Sequence, residues 1–94
     1  MFIARLIFNE TAEGKLAARG IAMTDVYDVY ADGAYFPRNP HPRVPSSRMM
    51  IGPDRGGRCL TIVLQPDADD EAVWHVMTGW PSTERQRDDW RRRA

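Results

Sequence analysis

The 94-residue sequence has one cysteine, one lysine, two histidines, no net charge and no apolar run longer than four residues. Each scarcity excludes something. A lone Cys59 cannot close an internal disulfide, and with only His41 and His75 beside it no zinc-ligand spacing exists. The alternative for Cys59 is a small buried apolar residue. Short apolar runs exclude a transmembrane span, and the opening stretch Phe2 to Phe8 carries Arg5, which makes it a poor signal peptide. A cytoplasmic protein without membrane contact is the expectation. No Gly-rich loop leads from a strand into a helix, and no Ser/His/Asp arrangement can be read, so no metal, nucleotide or other cofactor is expected.

What is present describes one domain over residues 1–94. A chain this short cannot divide its buried surface between two cores, and 43% apolar with 28% charged residues is ordinary for an ordered globular domain. The charge is uneven. Residues 9–32 hold two basic against five acidic side chains, a net −3, whereas residues 38–58 hold Arg38, Arg43, Arg48, Arg55 and Arg58 against Asp54 alone, a net +4. Twelve of the thirteen basic residues are arginine, whose planar fork suits bidentate contact with phosphate or carboxylate. A genome rich in arginine codons would leave the same mark.

Strict alternation from Phe2 to Phe8 predicts a first strand. Asn9 is placed to cap a helix over Glu10 to Arg19, ended by Gly20. A second helix follows Thr24 as N-cap, carries Val26, Val29 and Tyr30 on one face, and stops at Asp32-Gly33. Ala34 to Phe36 is strand-like, but residues 37–47 contain four prolines and predict a stiff loop that exposes His41. Arg48 to Ile51, the turn chemistry of Gly52 to Gly57, and Arg58 to Gln65 predict an antiparallel hairpin. Ala72 to Trp80 adds the next strand, with Trp74, Val76 and Trp80 alternating against Val73, His75 and Met77. Leu60, Ile62 and Leu64 should share a buried face with Trp74 or Val76. Thr83 and Gln86 have capping-box spacing before a last helix anchored by Trp90. The result is an α+β fold: an antiparallel sheet with two short N-terminal helices and one C-terminal helix.

That order, with three sequence stretches, resembles the BrnT family of RelE-like toxins. KLAARGI from Lys15 to Ile21, followed by DVYDVY from Asp25 to Tyr30, is similar to the family's lysine-bearing helix and the amphipathic helix after it. RMMIG from Arg48 to Gly52, with GRCLTIVL from Gly57 to Leu64, resembles its Arg-x-x-x-Gly turn and Gly-Arg hairpin. TGWPSTER from Thr78 to Arg85 resembles the passage from its last long strand into the final helix. The resemblance spans nearly the whole chain. It implies an endoribonuclease toxin of a toxin–antitoxin pair, neutralised by a cognate antitoxin. Two positions depart from the family's pattern: Arg19 stands where histidine is usual before the helix-ending glycine, and Gly79 where arginine is usual near the end of the last long strand. They favour an alternative, a RelE-like scaffold, phage-encoded for example, that grips a host protein instead of cutting RNA.

RNA cleavage by a 2′-hydroxyl needs a base, cations for the phosphorane charge and a proton donor. Arg48 and Arg58, each at a strand start, are expected to meet across the hairpin end as a phosphate clamp, the bland alternative being solvated strand-end charges. His75 is the acid–base candidate, although a strand histidine beside Trp74 and Val76 is commonly packed or surface-paired. Lys15, Arg19, Arg38 and Arg43 are the RNA-binding candidates. If Gly79 cost the protein a catalytic arginine, Gly79→Arg should restore cleavage.

Overall fold

The computed structural model describes residues 1–40 and 46–93. The first strand, β1 (Arg5–Phe8), is shorter than the alternation suggests: Ala4 N–H still bonds the Ala72 carbonyl at 2.8 Å, but Ile3 N–H donates to the Tyr30 hydroxyl at 2.9 Å. Asn9 then caps α1 (Glu10–Ala17), its side chain accepting from Ala12 N–H at 2.7 Å. Gly20, at φ +70°, closes that helix with the paired bonds of a Schellman turn, Ile21 N–H to the Leu16 carbonyl and Gly20 N–H to the Ala17 carbonyl.

The second helix, α2 (Met23–Ala31), starts one residue before Thr24, which therefore does not cap it. The N-cap is Ala22, and Asp25 reaches back from inside the helix to accept the Ala22 N–H at 2.8 Å. A carboxylate in the first turn both takes up an orphan donor and complements the helix dipole. Gly33, at φ +82°, stands just past the end.

Strands β2 (Arg48–Pro53), β3 (Cys59–Pro66) and β4 (Val73–Pro81) form an antiparallel meander, as expected, and α3 (Glu84–Arg93) closes the chain. The sheet order is β1-β4-β3-β2, and β1 lies parallel to β4, so the sheet is mixed where only antiparallel pairing was expected. The parallel pairing uses everything between the two strands as its crossover, a contact that no local pattern signals. The stretch Ala34 to Phe36 is not a full strand. Tyr35 bridges Ile51 and Arg38 bridges Arg48 along the outer edge of β2, interrupted at Pro37, which has no N–H to give.

Helices α1 and α2 cover one face of the sheet. Leu16, Val26 and Val29 pack there with Leu6, Met50, Leu60, Ile62, Leu64, Trp74 and Val76, so the three alternating residues of β3 do share a buried face with Trp74 and Val76. The alternation breaks at one point. Val63 pairs with Thr78 but Leu64 pairs with Val76, which leaves Met77 as an extra residue in β4. Beyond that bulge the faces exchange. Gly79, not Trp80, follows Trp74 and Val76 onto the helix side opposite Ile62, and Trp80 pairs with Thr61 on the other side.

Helix α3 has no buried side chain. Trp90 was expected to be its anchor, and its indole N–H does reach the Gly33 carbonyl at 3.4 Å. Gln86 makes a stronger tie. Its Oε1 accepts from the Thr83 N–H (2.9 Å), the Thr61 hydroxyl (2.9 Å) and the Trp80 indole N–H (3.2 Å), while Thr83 Oγ1 accepts the Gln86 N–H at 3.2 Å to complete the capping box. Buried Ser82 lies 2.8 Å from the Thr61 hydroxyl. Because the Thr61 proton goes to Gln86, Ser82 is the donor in that pair.

Candidate functional site

The face of the sheet away from α1 and α2 holds a groove of about 470 Å³. Its apolar walls are Met49, Val63, Met77 and Trp80, and Gln65, Gln86 and Lys15 supply polar groups. Trp80 is there because the Met77 bulge turned it out of the core. Lys15 arrives from α1, because β1 stops at Phe8, opposite Val76, and leaves the edge of β4 open to the helix. One turn later, Arg19 Nη1 donates to the Thr78 hydroxyl and the Gly79 carbonyl, each at 3.3 Å. Lys15 and Arg19 are thus brought to the same stretch of β4.

His75 stands opposite Gln65 in the β3–β4 register, so it shares the groove's face beside the last lining residue of β3 without lining the groove itself. Its Nε2 lies 2.7 Å from Asp67 Oδ1, and the Asp67 carboxylate also accepts the Asp69 and Asp70 backbone N–H groups at 3.2 Å each. These bonds, the one from His75 foremost, hold the Asp67 carboxyl below its ordinary 3.8. A carboxylate accepting at Nε2 fixes the neutral ring with its proton there, which leaves Nδ1 as the basic nitrogen. The surface-paired alternative for His75 and its acid–base role are therefore compatible.

The clamp expected of Arg48 and Arg58 does not form. Arg48 pairs with Leu64 at one end of the hairpin, whereas Arg58 lies beyond the Pro53–Cys59 pair at the other. Two strand starts in an antiparallel hairpin are at opposite ends, and Arg58, facing Asp54, lies six positions or roughly 20 Å along from Arg48. Arg58 is also engaged: its Nε lies 3.1 Å from Asp54 Oδ2, its Nη2 3.4 Å from Asp25 Oδ2, and its Nη1 donates to the Gly20 carbonyl at 3.1 Å. It ties the α1–α2 turn to the hairpin turn. Burial would raise the Asp54 carboxyl, but the Arg58 backbone N–H and guanidinium, with the Gly56 N–H, outweigh it and hold the group below its ordinary value.

Arg48 instead stands directly opposite Arg38 in an isolated bridge. Neither has a carboxylate within ion-pair reach among the described residues. Alternation puts Arg48 on the side of Met50, away from the groove. Arg43 and His41 lie outside the described residues.

Gly79 does not occupy a vacated catalytic position. A Cβ there would meet Ile62 Cδ1 at 2.7 Å, Leu16 Cδ2 at 2.9 Å and the Thr61 carbonyl at 3.1 Å, so any side chain would enter the core under α1. The neighbours that face the groove are Thr78 and Trp80. The sequence reading missed Asp67, Gln65, Thr78 and Gln86. Asp67 was legible in principle, since an acidic turn eight residues before a strand histidine can fold back onto it; the others depend on register.

No protein-family model matches the chain, and no curated protein matches it at a significant level. In structure the chain is similar to the Brucella abortus ribonuclease toxin BrnT, with a TM-score of 0.60 at 16% identity over 85% of this chain and 97% of that one. At that identity the likeness is one of fold: an α+β fold like that of BrnT.

Proposed function

We propose that this protein is a BrnT-like toxin that binds RNA on the open face of its sheet and cleaves it there, with an antitoxin protein neutralising it by covering that face. The observation that carries the reading is a groove with Lys15 in its lining, Arg19 bonded to the lining residue Thr78 and a carboxylate-paired His75 opposite the lining residue Gln65, on a fold shared with a ribonuclease toxin. His75 Nδ1 would take the proton of a ribose 2′-hydroxyl, and Lys15 with Arg19 would face the charge that develops on the phosphate. Arg48 and Arg38 lie on the opposite side of the sheet from the groove and take no part, and Arg58 is a structural residue.

Incubating the purified protein with a labelled single-stranded RNA tests this directly. The expected result is cleavage that falls roughly 10²- to 10⁴-fold in His75→Ala, the range one positioned acid–base group supplies. Lys15→Ala should also lower it, whereas Arg48→Ala, away from the groove, should leave it unchanged. No cleavage by the unmodified protein would overturn the nuclease reading. A second reading then stands, a protein that grips a host protein, and one observation favours it: the groove walls are mainly apolar and Lys15 is the one charged residue among the described residues of the lining.

A further inference from the structure

We infer that the groove is a pocket for one unpaired nucleobase, stacked beside Trp80 with its edge read by Gln65, and that it prefers adenine. This rests on RNA being the ligand, as proposed above, but it assigns a base to a place that the cleavage chemistry does not use. Volume is the first argument. About 470 Å³ lies within the roughly 300–1,000 Å³ of small-ligand sites. A duplex cannot enter such a space, and double-stranded RNA keeps the N6 and N7 edge of adenine in a deep, narrow major groove that side chains cannot read.

The second argument is the chemistry of the walls. Trp80 has already given its only polar hydrogen to Gln86 at 3.2 Å, so what it offers the groove is ring carbon. Met49, Val63 and Met77 continue that apolar surface. Gln86 cannot be flipped, because its Oε1 accepts from the Thr83 and Trp80 N–H groups, both obligatory donors. Its amide N–H groups have no protein acceptor among the described residues and remain for a ligand. Gln65 has no side-chain partner among the described residues, so both its carbonyl and its amine are available. A flat object with two apolar faces and a hydrogen-bonding edge fits this set. A free glutamine amide pairs bidentately with the N6 and N7 positions of adenine, donating to N7 and accepting from N6.

Spacing agrees. Trp80 is paired with Thr61, four residues from Gln65 on β3, or roughly 13 Å. A purine beside the indole and an extended glutamine side chain can divide that length. The charge also agrees, since the described residues of the lining include no carboxylate and Lys15 and Arg19 stand at its β4 side, placed for the phosphates on either side of an inserted base.

Binding is measured with 2′-O-methyl oligoadenylate and oligouridylate, which lack the attacking hydroxyl, so that binding is read apart from cleavage. Oligoadenylate is expected to bind more tightly than oligouridylate or a duplex. Trp80→Ala should weaken it about 5- to 150-fold, the span of base–aromatic stacking, and Trp80→Phe, which keeps the ring, should retain most of the affinity. Gln65→Leu, at a half-buried site whose side chain has no partner among the described residues, should erase the preference for adenine. The log–log salt slope should be no steeper than about −1.4, two phosphate contacts on a single strand. Equal binding of both oligonucleotides, affinity unchanged in a folded Trp80→Ala or Gln65→Leu variant, or no binding at all would overturn the pocket. The two proposals fail separately. Adenine-selective binding without cleavage of unmethylated RNA keeps the pocket and removes the nuclease, whereas cleavage that survives both variants unchanged does the reverse.

Discussion

Replacing Gly79 tests the packing that the Met77 bulge creates. An alanine Cβ would stand 2.7 Å from Ile62 Cδ1, 2.9 Å from Leu16 Cδ2 and 3.1 Å from the Thr61 carbonyl. The first two are ends of flexible side chains and can retreat; the third is backbone held in the β3 ladder and cannot move without its neighbours. Overpacking of this kind costs roughly 1–3 kcal/mol. Alanine also restricts the unfolded chain, which returns about 0.4–1 kcal/mol. The net is a loss of about 1 kcal/mol, or roughly 4–8 °C in Tm for a domain of this size. Gly79→Arg adds the burial of a charge without a partner, a penalty of several kcal/mol, against a total stability of about 5–15 kcal/mol. It should not fold, so the substitution that the sequence suggested as a rescue of activity would instead abolish the protein. Thermal denaturation followed by circular dichroism measures both variants. A third, Leu16→Ala with Gly79→Ala, should cost less than the two singles together by at least about 0.5 kcal/mol, since the methyl that clashes is gone. Strict additivity, or a folded Gly79→Arg with an unchanged Tm, would refute the reasoning.

Gln86→Leu strands the Thr61 hydroxyl and the Trp80 and Thr83 N–H groups, and should lower stability by about 1–3 kcal/mol in urea titration. Gln86→Glu keeps the acceptor and should stay close to the parent at neutral pH. Arg58→Ala should destabilise by roughly 1–3 kcal/mol, because Asp54 is only 8% exposed and loses its guanidinium, whereas Arg48→Ala should leave urea stability nearly unchanged. Asp67 titrates below its ordinary 3.8 in the folded protein, so its contribution is complete above the unfolded carboxylate range and disappears as pH falls through the lower folded value. Asp67→Asn should therefore flatten the acid limb of the stability profile below about pH 4, which thermal melts across pH 2–6 would reveal.

The parts of the fold that were legible are those whose cause is local. Asn9 capping α1, Gly20 ending it and the Thr83–Gln86 box each use residues within five positions of one another, and all three are found. The β2–β3 hairpin follows from turn chemistry between two apolar runs. The α2 cap was misplaced by two residues because both Thr24 and Asp25 are capping residue types, and the carboxylate acts from inside the helix. The parallel β1–β4 pairing joins residues nearly seventy positions apart and leaves no trace in either strand. The opposite ends of Arg48 and Arg58 could have been deduced, since they follow from the antiparallel hairpin that the sequence did predict.

The candidate site was less legible than the fold because it depends on one extra residue. Without a bulge, Val76, Thr78 and Trp80 would share a face, and the indole would lie where Leu16 now packs over Gly79. Inserting Met77 puts the residue without a side chain beneath α1 and the largest side chain on the open face. The first exchange lets α1 sit against β4 closely enough for Arg19 to reach the Thr78 hydroxyl and the Gly79 carbonyl; the second builds the groove and gives Gln86 an indole N–H to accept. Core packing, the seat of α3 and the composition of the groove are therefore consequences of one register shift. Set against the family's pattern alone, Gly79 looks like a lost arginine; on the face where the bulge puts it, it is the condition for Lys15 to reach the site.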